Sequence, residues 1–275
     1  MSLHQKSVFF ALFSAFLFLA VAGCGTGSKQ KLTIAGSTSV EPFAERLAEL
    51  YMRNHPEVEI NVQGGGSSAG IRAVTSHICQ IGMSSRHLTD EEAKTLHQFT
   101  IAYDGIVLVV NRQNPVRNLT LEQARALFSG RLRFWDELGW EHRRITLVTR
   151  EEGSGTRASF EEMVMKDDRG EMASFSADAL VQDSNGAVRE IVARDPAAIG
   201  YISMGLVDER CSALSLNGIT PNDSTIRSCT YPLSRRFLFL TSSPPQGLTK
   251  QFIDYVLSPE GQRALAEEGL TPVSE

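Results

Sequence analysis

Three times in this chain a short apolar run stops at glycine, and small hydroxyl residues follow where a helix would begin. In the first, residues 32–35 lead into Gly36-Ser37-Thr38-Ser39; in the second, residues 58–62 lead into Gly64-Gly65-Gly66-Ser67-Ser68-Ala69-Gly70. In the third, residues 145–149 lead into Arg150-Glu151-Glu152-Gly153-Ser154-Gly155-Thr156. A strand that turns through glycine into a helix leaves several backbone N–H groups unpaired at the helix start. Those donors and the positive end of the helix dipole attract an anion, and Ser/Thr hydroxyls add further donors. One such turn is an ordinary cap. Three in one chain, one of them beside an arginine, point to helix ends gathered around a single tetrahedral oxyanion.

The rest of the pattern is a β-α alternation. Helices are expected over residues 42–54, where Phe43, Leu47, Leu50 and Tyr51 share one face, and over 69–75, 90–96, 121–128, 156–165, 188–194, 248–257 and 259–268. Strands are expected over 78–83, 101–103, 106–110, 199–202 and 237–241. Such alternation predicts an α/β fold with largely parallel sheets, which binds ligands beyond the carboxyl ends of its strands. Asp104 reads either as a strand-end turn residue before Gly105 or as a residue near a chain crossing. Arg143-Arg144 and Arg235-Arg236 read as solvated pairs.

Residues 1–23 carry one basic side chain, Lys6, and no acid, and the apolar run 8–22 is shorter than a bilayer-crossing helix requires. This reads as a secretory signal. The junction Val21-Ala22-Gly23-Cys24 resembles a bacterial lipobox, so Cys24 is the expected lipidation site, followed by a polar linker to residue 30. The protein is thus expected to be exported and held at the membrane, facing the periplasm or the cell exterior. The chain of 275 residues has a net charge of −5 and no basic stripe, which argues against nucleic acid as a partner. Cys79 reads as a buried free thiol, while Cys211 and Cys229 are candidates for a disulfide. No cysteine or histidine spacing matches a metal site, and no cofactor is expected.

Several segments, in order, resemble the phosphate-binding proteins of bacterial high-affinity phosphate ABC transporters. They are Gly36-Ser37-Thr38-Ser39, Gly66-Ser67-Ser68-Ala69-Gly70, Ile81-Gly82-Met83-Ser84-Ser85-Arg86, Arg150 to Thr156, Ala198-Ile199-Gly200-Tyr201 and Tyr231-Pro232-Leu233-Ser234-Arg235. The resemblance implies a two-lobed type II periplasmic-binding-protein fold with ligand in the inter-lobe cleft. It places lobe one at residues 31–107 plus 203–275 and lobe two at 108–202. It also implies a monomeric receptor that binds inorganic phosphate and hands it to permease subunits.

Carried over residue by residue, the resemblance makes Thr38, Ser39, Ser67, Ser154, Gly155 and Thr156 donors to phosphate and Arg150 its guanidinium partner. Glu152 falls where the family has the acid that holds that arginine. Where some members have an aspartate, this chain has Ser85, followed by Arg86, and both are expected at the site. A carboxylate there would accept the proton of HPO4²⁻ and repel sulfate, so another oxyanion such as sulfate is the alternative ligand. Enzyme readings are poorly supported. The chain lacks a P-loop lysine, and Gly153-Ser154-Gly155 does not have the spacing of a nucleophile elbow. A structural lipoprotein without ligand is the remaining class.

Overall fold

The computed structural model describes residues 29–273. The signal segment and Cys24 lie outside the described residues. The first glycine turn follows β1 (Gln30–Gly36) and precedes α1 (Glu41–Asn54). The second joins β2 (Val58–Gly64) to α2 (Ser67–Thr75). The expected strand 78–83 is the shorter β3 (Ile81–Ser84), and α3 (Asp90–Thr95) follows. The two strands expected at 101–103 and 106–110 are one long strand, β4 (His97–Asn111), whose second half is buried on both faces.

Beyond it come β5 (Asn118–Leu119), α4 (Leu121–Phe128) and β6 (Thr146–Arg150). The helix expected at 156–165 is α5 (Gly155–Phe160), continued by a π-helical turn over Glu161–Met165. Next are β7 (Leu180–Gln182), α6 (Asn185–Arg194) and β8 (Ala198–Ser203). Then follow β9 (Cys211–Ala213), β10 (Ser215–Leu216), α7 (Asp223–Arg227) and β11 (Ser234–Thr241). Helices α8 (Gly247–Leu257) and α9 (Pro259–Glu267) close the chain.

One sheet runs β2-β1-β3-β11-β4-β8-β6-β7, with β9 added to β4. The expectation of largely parallel sheets holds only at its two ends. There β1 is parallel to β2 and β3, and β6 is parallel to β7 and β8. In the middle, β11 runs antiparallel to β3 and β4, and β4 antiparallel to β8 and β9. The reason is that β4 and β11 pass from one half of the molecule to the other in opposite directions. Their register pairs Arg235 with Asp104 and Ser234 with Gly105.

Two main apolar cores flank that crossing. One gathers Ile34, Leu47, Ile101, Phe237 and Phe252, and the other Val107, Phe128, Trp135, Val148, Phe160 and Tyr201. Leu214, Leu216, Ile226, Tyr231 and Leu233 belong to the second core. The segment 207–233, expected with the first lobe, therefore packs on the second, and the return crossing is β11. Cys79 is buried and free, as expected. Cys211 and Cys229 are not bridged. Cys211 faces inward, its thiol donating to the Arg189 carbonyl and pushed up to about 11 by burial, whereas Cys229 is exposed beyond α7.

Candidate anion site

All three glycine turns meet where the two halves face each other. Gly66, at φ +88°, brings its backbone against Gly153, and a Cβ there would lie 2.7 Å from that residue's carbonyl oxygen. A Cβ on Gly155 would overlap the hydroxyls of Ser67 and Ser85. These contacts place the start of α2 against the start of α5.

A cluster of buried hydroxyls fills the junction. Ser39 Oγ lies 2.7 Å from Thr156 Oγ1, which joins the first turn to the third. Ser85 N–H donates to Ser67 Oγ at 3.0 Å, and Ser37 Oγ donates to Ser85 Oγ at 2.8 Å. Thr38 Oγ1 accepts from Arg150 Nη2 at 3.1 Å. Backbone donors at the helix starts add to these hydroxyls, although Ser39 N–H is taken by Ser37 Oγ and Ser68 N–H by the Gly153 carbonyl.

Arg150 is 1% exposed, an unusual place for a guanidinium. It ends β6, and its strand is fixed from behind by Tyr201, whose hydroxyl bonds Thr149 Oγ1 at 2.8 Å and accepts from Arg150 N–H. Burial pushes the Tyr201 phenol up to about 12, so it stays neutral. The Nε and Nη2 edge of Arg150 meets the two oxygens of Glu151 at 2.9 Å each. The carbonyls of Gln182 and Asp183 accept from the same two nitrogens. Nη1 is buried and has no hydrogen-bond partner among the described residues. A buried, unpaired charged donor is costly to maintain, so its position calls for an acceptor that the chain does not supply.

Comparison with known proteins agrees with this geometry. The model of the PBP superfamily domain matches residues 22–260. The phosphate-binding protein PstS of Bacillus subtilis is 32% identical, over 98% of this chain and 95% of the relative. The chain belongs to the PBP superfamily, alongside the PstS proteins. A Clostridium perfringens protein, assigned as a phosphate ABC transporter substrate-binding protein and solved with phosphate bound, superposes at a TM-score of 0.84 with 37% identity. That match covers 89% of this chain and 100% of the other. An ABC-type phosphate transport receptor from Vibrio cholerae is 40% identical at a TM-score of 0.73, over 87% of this chain and 99% of that one. The fold is the type II periplasmic-binding-protein fold.

Of the residues expected at the site, Thr38, Ser39, Ser67, Ser85, Arg150, Gly155 and Thr156 come together. Two others lie elsewhere, and Ser154 doubles as a helix cap. Arg86 turns away, its two terminal nitrogens on Glu92 at 2.8 and 2.9 Å, where Glu92 also closes the capping box of α3. Glu152 is exposed, and its neighbour Glu151 holds Arg150, because the residue next to a strand end shares that end's backbone turn. Ser154 is buried in the third turn and accepts from Arg157 N–H as the cap of α5, which leaves its own proton free to donate.

Residues not expected at the site also belong to it. A fourth strand-to-helix turn, without a preceding glycine, runs from β7 through Asp183 and Ser184 into α6, and Asn185 donates from it to Ser39 Oγ at 2.9 Å. The signal was the Ser-Asn-Gly step, hidden by a three-residue strand. Arg235, expected to be solvated, is buried and donates from Nε to Asp104 Oδ2 at 2.8 Å. Its place on the same strand face as Phe237 and Phe239 was legible as a period-two pattern.

Proposed function

We propose that the chain is an extracytoplasmic receptor for inorganic phosphate that delivers its ligand to the permease of an ABC transporter. The observation that carries this reading is the unpartnered Nη1 of buried Arg150 among the hydroxyls of Thr38, Ser39, Ser67 and Thr156. A tetrahedral oxyanion placed there would accept from the guanidinium, the hydroxyls and the helix-start N–H groups, which replace its water shell. Glu151 anchors the guanidinium without blocking that edge. Closure of the halves over the ligand follows from donors being supplied by both, with β4 and β11 as the crossings.

The relatives bear on which oxyanion it is. Those named above are called phosphate-binding proteins or phosphate receptors, and phosphate is favoured over sulfate. The protein acts as a binding component and not as an enzyme. The proposal extends to export by the N-terminal signal, lipid attachment at Cys24 and a monomeric state.

The test is ligand carry-over followed by titration. Denaturing the purified protein should release inorganic phosphate, and calorimetry on the stripped protein should show saturable phosphate binding that sulfate does not displace. Turnover of a generic phosphoester is the enzyme control. Absence of phosphate binding would sink the reading, and equal affinity for sulfate would replace it with a general oxyanion receptor.

A further inference from the structure

Arg235 is buried beside the hydroxyl cluster, and the one nitrogen of its head without a hydrogen bond, Nη2, faces Asp104. Its Nε donates to Asp104 Oδ2 at 2.8 Å, and Nη2 lies 2.8 Å from the same oxygen without a well-directed bond. Both protons of Nη1 are used, one on Thr156 Oγ1 at 2.9 Å and one on the Ser85 carbonyl at 3.1 Å. Asp104 is itself fixed, with Oδ1 accepting from Ser203 Oγ at 2.8 Å and from Met204 N–H at 3.2 Å. Arg235 sits on a crossing strand, reaches Ser85 in one half and Thr156 in the other, and touches nothing in solvent.

The proton arithmetic of the neighbouring hydroxyls follows from these bonds. Each hydroxyl has one proton and two acceptor lone pairs. Thr156 Oγ1 accepts from Arg235 Nη1, and Ser39 Oγ accepts from Asn185 Nδ2. The bond between the two oxygens takes one of their protons, whichever oxygen gives it. The other proton is left over. Neither hydroxyl has a further acceptor among the described residues, and the Ser85 carbonyl, which shares Arg235 Nη1 with Thr156, has both lone pairs filled by Arg235 and by Ser159 Oγ, the latter at 3.3 Å. The buried carboxylate of Asp104 is closed off in the same way.

We propose that Arg235, held by Asp104, is a positioning residue that makes the Thr156–Ser39 hydroxyl pair a proton donor to the bound anion. It does so by occupying a lone pair of Thr156 and one of the Ser85 carbonyl. Asn185 performs the first of these tasks for Ser39. The inference rests on the receptor reading above and deepens it: the donor character of the cleft is set from its crossing strands, by a residue that never touches the ligand.

A double-mutant cycle tests this with inorganic phosphate titrated into the full chain. The proteins are wild type, Arg235→Lys, Thr156→Val and the double variant. Lysine keeps a positive charge opposite Asp104, but its single ammonium cannot span Asp104, Thr156 and the Ser85 carbonyl together. Arg235→Lys should weaken phosphate binding at least about ten-fold when Thr156 is present, and less than about two-fold in the Thr156→Val background. Equal weakening in both backgrounds would mean a general structural role and overturn the proposal, as would no weakening in either. If Arg235→Lys does not fold, the uncharged pair Asp104→Asn with Arg235→Met carries the same cycle, with the same expected dependence on Thr156. Wild type that fails to bind phosphate overturns the receptor reading and this inference with it. Wild type that binds without coupling overturns this inference alone.

Discussion

Two buried arginines border the same hydroxyl cluster, each facing a carboxylate, and they differ in where the one nitrogen without a hydrogen bond lies. Arg150, at the end of a strand in one half, is gripped along one edge by Glu151 and keeps Nη1 without a partner among the described residues. Arg235, on the strand that crosses between halves, gives Nη1 to Thr156 and Ser85 and turns the rest of its head to Asp104. The carboxylates differ as well. Glu151 is about a third exposed, so water can share it, while Asp104 is fully enclosed. Burial pushes the Asp104 carboxyl above the usual carboxylate range, against the opposing pull of Arg235 and its hydrogen bonds. The comparison separates two uses of one side chain: a guanidinium whose unpartnered nitrogen lies away from its carboxylate is a ligand group, and one whose unpartnered nitrogen rests against its carboxylate is a support.

The largest expected effect comes from breaking the enclosed pair. Asp104→Ala strands the Arg235 charge in the interior, and should lower stability by about 3–5 kcal/mol in urea unfolding. A loss below about 1 kcal/mol would show that Arg235 finds another partner or water. Next are the hydroxyls on the ligand side. Thr38→Val and Ser67→Ala should each weaken phosphate binding by about 1–3 kcal/mol in calorimetric titration, with a much smaller change in the melting temperature of the ligand-free protein. A large stability loss with intact affinity would return these residues to the role of caps.

The smallest effect is expected at a third pair, nearer the surface. Arg86→Ala should leave phosphate affinity unchanged and reduce stability by about 0–1 kcal/mol. Arg86 and the α3 capping bonds hold the Glu92 carboxyl below its ordinary range. Its folded value is depressed, so its stabilisation is present above the unfolded carboxylate value and fades as pH falls through the folded one. The difference in stability between wild type and Arg86→Ala should therefore shrink on acidification. A large loss of phosphate affinity in Arg86→Ala would put that residue back in the cleft.

How far the chain could be read in advance follows from the range of each signal. The three glycine turns, Arg150 and the helices after them were legible because each is a local pattern of backbone and side chain. The strands β5, β7, β9 and β10 were not, since runs of two or three residues carry no periodicity. That hides Asn185; the resemblance puts segment 207–233 with the first half, and only its packing puts it on the second. Asp104 and Arg235 lie 131 positions apart and are paired by strand register alone. Nothing local to either marks the partner. Glu151 and Glu152 are chemically identical neighbours, and only the turn geometry selects the first.

The central claim is that the free edge of Arg150 meets the anion. Titrating inorganic phosphate into ligand-stripped wild type and Arg150→Met tests it most directly, with circular dichroism to confirm that both are folded. Losing a charge-assisted contact in a closed cleft should cost about 2–5 kcal/mol, a drop of roughly thirty-fold to several thousand-fold in affinity. Arg150→Met that is folded and binds phosphate as tightly as wild type would contradict the account.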